Sequence, residues 1–132
     1  MNYMLDTNMC IYIIKRHPEK VLKKFLTLSV GEVCISSITL AELMYGIHKS
    51  QYSKKNKAAL QDFLLPLDIM PFNDEVTDHY GRIRTYLEKK GVPIGALDTM
   101  IAAHALSLGS ILVTNNQKEF VRVPDLNIED WT

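Results

Sequence analysis

Met1-Asn2-Tyr3-Met4-Leu5-Asp6-Thr7-Asn8 opens the chain, and the middle of this stretch decides the fold. Tyr3, Met4 and Leu5 form a short apolar run, cut off by an acid, a hydroxyl and an amide. A run this short, with no charge before its end, fits a fully buried strand of a parallel sheet. Asp6 then stands at the carboxyl end of the strand, with Thr7 and Asn8 opening a helix. Ligands of open α/β sheets bind outside the carboxyl ends of the strands. Asp6 is therefore a candidate metal ligand on which later acids should converge.

Downstream, strands and helices alternate. Met9, Cys10, Ile13 and Ile14 give a helical stripe over Thr7 to Arg16, and Val21, Leu22, Phe25, Leu26 and Leu28 give a second helix after Pro18. Val33, Cys34 and Ile35 read as the second strand, followed by a helix from Thr39 to Ser50 with Leu40, Leu43, Met44 and Ile47 on one face. The lysine-rich stretch from Gln51 to Asn56 reads as a turn, and Ala59, Leu60, Phe63 and Leu64 as a helix ending at Pro66. Ile69, Met70 and Phe72 make a short strand. Asn73 is a good N-cap for a helix from Asp74 to Lys90, with acids first, bases last and Gly91 as the stop. Leu97, Met100, Ile101, His104, Ala105 and Leu108 form an unbroken helical stripe, ended by Gly109. Ile111 to Thr114 is a strand, and Asn127 to Trp131 adds an edge strand. This alternation defines an α/β chain with a mostly parallel sheet, without internal repeats or a domain boundary.

The totals agree. A chain of 132 residues with 47% hydrophobic and 23% charged residues is the size and composition of one globular domain. No apolar stretch is long enough to span a bilayer, and no secretory signal is evident. Cys10 and Cys34 lie inside apolar segments without metal-type spacing, as expected of reduced thiols in a cytoplasmic protein. The net charge of zero argues against a general nucleic-acid binder. Its distribution is uneven. Lys15, Arg16, Lys20, Lys23, Lys24, Lys49, Lys54, Lys55 and Lys57 crowd the first half, while Asp98, Glu119, Asp125, Glu129 and Asp130 weight the last third. A basic half beside an acidic half suits a polyanion held next to a cation-loaded pocket.

Asp6, Glu42, Asp98 and Glu119 each lie close to an expected helix N-terminus. Taken singly, each has an ordinary explanation. Asp6 can cap a helix, Thr39-Leu40-Ala41-Glu42 matches a capping box, Asn116-Gln117-Lys118-Glu119 fits the same logic, and Asp98 suits the helix dipole. Taken together, they belong to one edge of a doubly wound sheet. Like charges gathered there raise one another's pKa, and a hard divalent cation with oxygen ligands, Mg²⁺ or in its place Mn²⁺, removes that penalty. None of the four histidines has zinc-motif spacing, and His104, on an apolar stripe, reads as a core residue.

Met4-Leu5-Asp6-Thr7-Asn8, Ser36-Ser37-Ile38-Thr39-Leu40-Ala41-Glu42-Leu43-Met44-Tyr45-Gly46, Leu97-Asp98-Thr99-Met100-Ile101-Ala102-Ala103-His104-Ala105 and Leu112-Val113-Thr114-Asn115-Asn116-Gln117-Lys118-Glu119-Phe120 together resemble the PIN-domain ribonucleases, and within them the VapC toxins of bacterial toxin–antitoxin pairs. The resemblance runs from residue 2 to Trp131. It implies one PIN domain over residues 1–132, a PIN-like α/β/α sandwich around the sheet, and a metal-dependent endoribonuclease with tRNA as the expected RNA substrate. The implied partners are a cognate VapB-type antitoxin and, through that complex alone, promoter DNA; a homodimer is expected, and no membrane. Carried over residue by residue, Asp6 and Asp98 are metal ligands and Glu42 is the second acid of the family. Many PIN domains place an aspartate where Asn116 stands, so either Asn116 or Glu119, one turn later, completes the site for one ion or two. Thr7 and Thr114 would orient carboxylates or water. Metal-activated water attacking in line at phosphorus leaves 5′-phosphate and 3′-hydroxyl ends.

Two rival readings remain at this level. A phospho-receiver-like domain would want paired acids near the first strand, where Asp6 stands alone; a non-catalytic RNA-binding α/β domain has no use for the four acids. One surface also stands out. Tyr45, Ile47, Tyr52 and Phe63, ahead of Pro66, exceed what a small sheet can cover, and mark a partner surface.

Overall fold

A computed structural model describes residues 2–132; Met1 of the opening stretch lies outside the described residues. Strand β1 (Tyr3–Leu5) leads into helices α1 (Thr7–Lys15) and α2 (Glu19–Leu26), then β2 (Val33–Ser36), α3 (Ser37–Lys49) and α4 (Ser53–Leu64). Strand β3 (Asp68–Met70), α5 (Asp74–Lys89), α6 (Ala96–Leu108), β4 (Ile111–Val113), α7 (Gln117–Phe120) and β5 (Ile128–Glu129) follow. The five strands lie in the order β3-β2-β1-β4-β5, and every pairing is parallel. The fold is the expected α/β class with helices on both faces of the sheet.

The two-residue period of a strand explains why the inner strands are apolar throughout. Leu5, Ile35 and Val113 point into a layer with Met9, Cys10, Ile13, Leu43, Ile47, Leu60 and Phe63, which come from α1, α3 and α4. Met4, Cys34 and Leu112 point the opposite way, into a layer with Val76, Ile83 and Leu87 of α5 and Ile101, Ala102 and Ala105 of α6. Each fully buried aliphatic side chain contributes roughly 1.5–3 kcal/mol, so both layers hold the strands firmly. Cys10 and Cys34 are free thiols in opposite layers.

Several element ends differ from the sequence reading, each for a local reason. Helix α3 starts at Ser37, two residues before Thr39, because Ser36 is the cap: its Oγ accepts a hydrogen bond from the Ile38 amide at 3.0 Å. The lysine-rich stretch expected as a turn is helical from Ser53, since lysine and alanine favour helix and the turn is drawn in by buried Leu60 and Phe63. Helix α2 stops at Leu26, and Leu28 packs from the turn that follows. Leu97 opens the α6 stripe but is 47% exposed. The Asn73 cap is present, accepting from the Glu75 amide at 3.2 Å. Gly109 closes α6 in the left-handed region at φ 65°, where glycine carries no Cβ penalty. Pro71 follows β3 and so removes no ladder hydrogen bond. Of the four residues expected at a partner surface, Ile47 and Phe63 are core, while Tyr45 and Tyr52 remain exposed.

The strand order reverses at β1. Successive units step outward to β2 and β3, and the chain then returns to the other side of β1 for β4 and β5. Such a reversal opens a crevice between the loops that leave the two central strands, here β1 and β4. Asp6 and Thr114 are the first residues beyond those strands. Among the described residues, no helix is long and apolar enough to cross a membrane.

Candidate active site

Asp6 ends the ladder of β1, its amide donating to the Val113 carbonyl at 3.0 Å. It is also the N-cap of α1: Oδ1 accepts from the Met9 amide at 2.9 Å. The capping role anticipated from sequence is therefore real, and it fixes a carboxylate that is only 6% exposed. Burial pushes the Asp6 carboxyl above its ordinary range. A hydrogen bond with Thr114 and the Met9 amide draw it down; the charges of Glu42 and Asp130 push it up again.

Glu42 does not reach back to Thr39, because the capping box does not form. It lies in the second turn of α3, and its Oε1 accepts a hydrogen bond from Thr7 Oγ1 at 2.8 Å. Thr7, the first residue of α1, thus ties the second acid to the element that carries the first. The released Thr39 hydroxyl is fully buried and has no hydrogen-bond partner.

Asp98 sits in the first turn of α6, whose N-cap, Gly95, offers no side-chain bond. Its carboxyl is pushed up to about 6, first by burial, then by the charges of Glu119, Asp6 and Glu42, and by a hydrogen bond with Glu119. Asp98 and Glu119 are thus close enough to interact directly, and the repulsion between them favours a neutral Asp98. Glu119 rides on the single turn α7. Asn116, the N-cap of that turn, makes no side-chain cap bond; its amide instead donates to Thr114 Oγ1 at 2.9 Å. Four acids from four elements thus lie within electrostatic reach at the switch point.

Two features of the site were not legible in the sequence. Asp130 is one. Leu5 pairs with Val113 and Val113 with Glu129, so the next residues along, Asp6, Thr114 and Asp130, stand in one row across the sheet edge. The edge strand expected over Asn127 to Trp131 contains Asp130, but the strand ends at Glu129, which leaves Asp130 at the sheet edge. The other is a bridge between Asn115 Nδ2 and the Tyr12 hydroxyl at 2.8 Å. His104 is absent from the site. It is buried against Ser36 Oγ at 2.8 Å and the edge of Phe72, and burial keeps its pKa low and the ring neutral.

The donor set is all oxygen, as a hard divalent cation requires. Among the described residues, no three histidine, cysteine or acidic side chains converge tightly enough to enclose an ion unaided. A cation there would have to keep most of its waters and take one or two carboxylates from the protein. The raised Asp6 and Asp98 carboxyls favour neutralisation, which a proton or a metal ion can supply. The residues fit a Mg²⁺-type ion and do not fit zinc.

Comparisons with known proteins place the chain in one family. The sequence profile of the PIN domain matches residues 3–126. The chain is 45% identical to the tRNA(fMet)-specific endonuclease VapC of Salmonella typhimurium over 131 residues, covering 99% of this chain and 98% of that protein. It is 48% identical to the ribonuclease VapC2 of Haemophilus influenzae, with the same coverage. Among solved structures, it superposes with a TM-score of 0.94 on VapBC2 of Rickettsia felis bound to a DNA fragment from its promoter, at 44% identity and full coverage of both chains. DNA-bound VapBC of Salmonella typhimurium gives the same TM-score at 45% identity, covering 100% of this chain and 99% of that one.

Proposed function

The chain belongs to the PIN-domain family, in its VapC branch, and from that premise we propose that it is the toxin of a toxin–antitoxin pair, an endoribonuclease dependent on a divalent cation. Residues 1–132 form one PIN domain in this reading, working in the cytoplasm as a homodimer on tRNA. The observation that carries it is the convergence of Asp6, Glu42, Asp98 and Glu119 beside the reversal of strand order. A structural protein gains nothing from carboxylates that raise one another's pKa; a phosphodiester hydrolase gains a site that attracts a cation.

Asp6 and Asp98 would hold the ion, Mg²⁺ or in its place Mn²⁺. When bound, such an ion lowers the pKa of water and neutralises charge on the phosphate. Asp6 is fixed by the Met9 amide and kept available by Thr114. Glu42, oriented by Thr7, and Glu119, in contact with Asp98, line up water for in-line attack at phosphorus. Asn116 supports the turn that carries Glu119 through its amide bond to Thr114. His104 is buried against Ser36 and so does not reach out to draw a proton from the RNA 2′-hydroxyl. The products therefore carry 5′-phosphate and 3′-hydroxyl ends. Lysines on α2 and α4 hold the RNA backbone, and sequence choice comes from RNA shape and unstacked loop bases.

The partner is a VapB-type antitoxin, and promoter DNA is bound through that complex. Its seat is the apolar groove of about 260 Å³ lined by Ile11, Ile14, Leu43, Gly46, Ile47 and Leu60, with the exposed Tyr45 of the lining helix and Tyr52 nearby. The decisive experiment is tRNA cleavage by wild type and Asp98→Asn in Mg²⁺, with sequencing of the product ends. Cleavage lost in the variant, with 5′-phosphate ends from the wild type, supports the reading. Full activity in Asp98→Asn, or cyclic phosphate ends, sinks it.

A further inference from the structure

We propose that the hydrogen bond between Tyr12 and Asn115 is a strap that positions Glu119 opposite Asp98, making Tyr12 a positioning residue for RNA cleavage; this rests on the reading above. Helix α7 is a single turn of four residues. One turn has almost no stability of its own, because nucleation costs more than it returns. Its cap residue Asn116 lends no side-chain bond. What holds Glu119 in place is therefore whatever pins the two ends of the turn.

At the far end, Phe120 is buried and anchors the turn in the α5–α6 layer. At the near end, the Asn116 amide bonds Thr114, and the side chain of Asn115 donates to Tyr12 on α1 at 2.8 Å. Helix α1 is the element capped by Asp6, and its Thr7 orients Glu42. One side-chain bond thus ties the segment leading into the turn of Glu119 to the helix that Asp6 caps and whose Thr7 bonds Glu42, across 103 residues of chain. Without it, the turn keeps Phe120 and the Thr114 bond at its two ends but loses its tie to α1.

The bond is exposed, so it adds little to global stability, in line with the small net value of solvent-accessible hydrogen bonds. Its effect on chemistry is of another order, since a misplacement of about 1 Å can cost about 100-fold in rate. An ordinary surface hydrogen bond would leave both rate and metal affinity untouched, which separates the two readings.

The test uses Tyr12→Phe, which keeps the ring and removes the hydroxyl, and Asn115→Ala, each alone and combined with Glu119→Gln. Three quantities are measured: kcat and KM on tRNA, Mn²⁺ affinity of the RNA-free protein by calorimetry, and the melting temperature. Each single variant should lose about tenfold in kcat with KM within about twofold, bind Mn²⁺ several-fold more weakly, and melt close to the wild type. In the Glu119→Gln background, the second change should cost nothing further. Wild-type kcat and Mn²⁺ affinity in both single variants would overturn the strap, as would an equal fractional loss of kcat with and without Glu119. A wild type that neither binds Mn²⁺ nor cuts RNA would overturn the nuclease reading along with it.

Discussion

Asp98→Asn should stabilise the metal-free protein while destroying its function. The Asp98 carboxyl is pushed up to about 6 in the folded chain from an ordinary 3.8, because it is buried against Glu119, Asp6 and Glu42. The folded state thus binds this proton more tightly than the unfolded state does. Stability attributable to the group is complete below about 4 and falls away as pH rises through about 6. The shift corresponds to a ceiling of about 3 kcal/mol at 1.36 kcal/mol per unit. Asp98 is partly exposed, and solvent screening leaves roughly 1–2 kcal/mol. Asparagine carries no charge and can still donate to Glu119. For a chain of this length, the gain should appear as a melting temperature higher by roughly 4–7 °C at pH 8 in EDTA. At pH 4 the two proteins should melt together. Adding Mg²⁺ should raise the wild type and narrow the gap, because the cation supplies to the wild type what asparagine supplies to the variant. Thermal melts by circular dichroism across pH 4 to 8, with and without Mg²⁺, read all of this. A variant no more stable than the wild type at pH 8, or a gap of equal size at pH 4, would show that Asp98 is not held among repelling charges.

Other outcomes follow from residues away from the acids. His104→Ala should destabilise by roughly 2–4 kcal/mol through the cavity it leaves, while cleavage per folded molecule stays unchanged. The low pKa of His104 works in the opposite sense to Asp98: the unfolded chain takes up the proton first, so stability falls as pH drops below 6.5, and the alanine variant should lose that part of the acid sensitivity. Gly46→Leu should leave folding and RNA cleavage intact, since nothing lies within 4 Å of an added Cβ. It should nonetheless weaken antitoxin binding about tenfold or more by filling the apolar groove; calorimetry with the antitoxin checks this, and unchanged affinity would move the seat elsewhere. Cys10 and Cys34, both buried with thiols raised by burial, should resist iodoacetamide in the native protein at pH 8 and react only on unfolding.

The fold was legible where apolar runs were short and ended in polar residues. Tyr3-Met4-Leu5-Asp6 and Ile111-Leu112-Val113-Thr114 announce buried strands because both faces of the sheet are covered, so no alternation interrupts them. Helix starts were less legible. Ser36, Ser37 and Thr39 are all competent caps, and only the turn of the chain out of β2 selects Ser36. The same local ambiguity made a capping box of Thr39 and Glu42, when Glu42 instead bonds Thr7, a residue 35 positions away. Contacts of that separation leave no trace in a local pattern. Tyr12 with Asn115 and Asp6 with Asp130 were invisible for the same reason. Only the register of β1, β4 and β5 brings the last pair to one edge.

Three of the four acids are chain neighbours of a side chain sunk in one of the apolar layers, and Asp98 neighbours the buried Thr99. Leu5 precedes Asp6, Leu43 follows Glu42, Thr99 follows Asp98 and Phe120 follows Glu119, and all four of these neighbours are buried. A carboxylate on a free loop would swing away from its like-charged neighbours; these are held by residues whose removal from the core would cost roughly 2–5 kcal/mol each. The repulsion therefore relaxes little by motion of the backbone. It is relieved by a proton, as the raised pKa of Asp98 reflects, or by a cation. The two apolar layers thus do more than stabilise the sheet: by limiting how far the acids can move apart, they convert folding energy into affinity for positive charge at the edge where the strand order reverses.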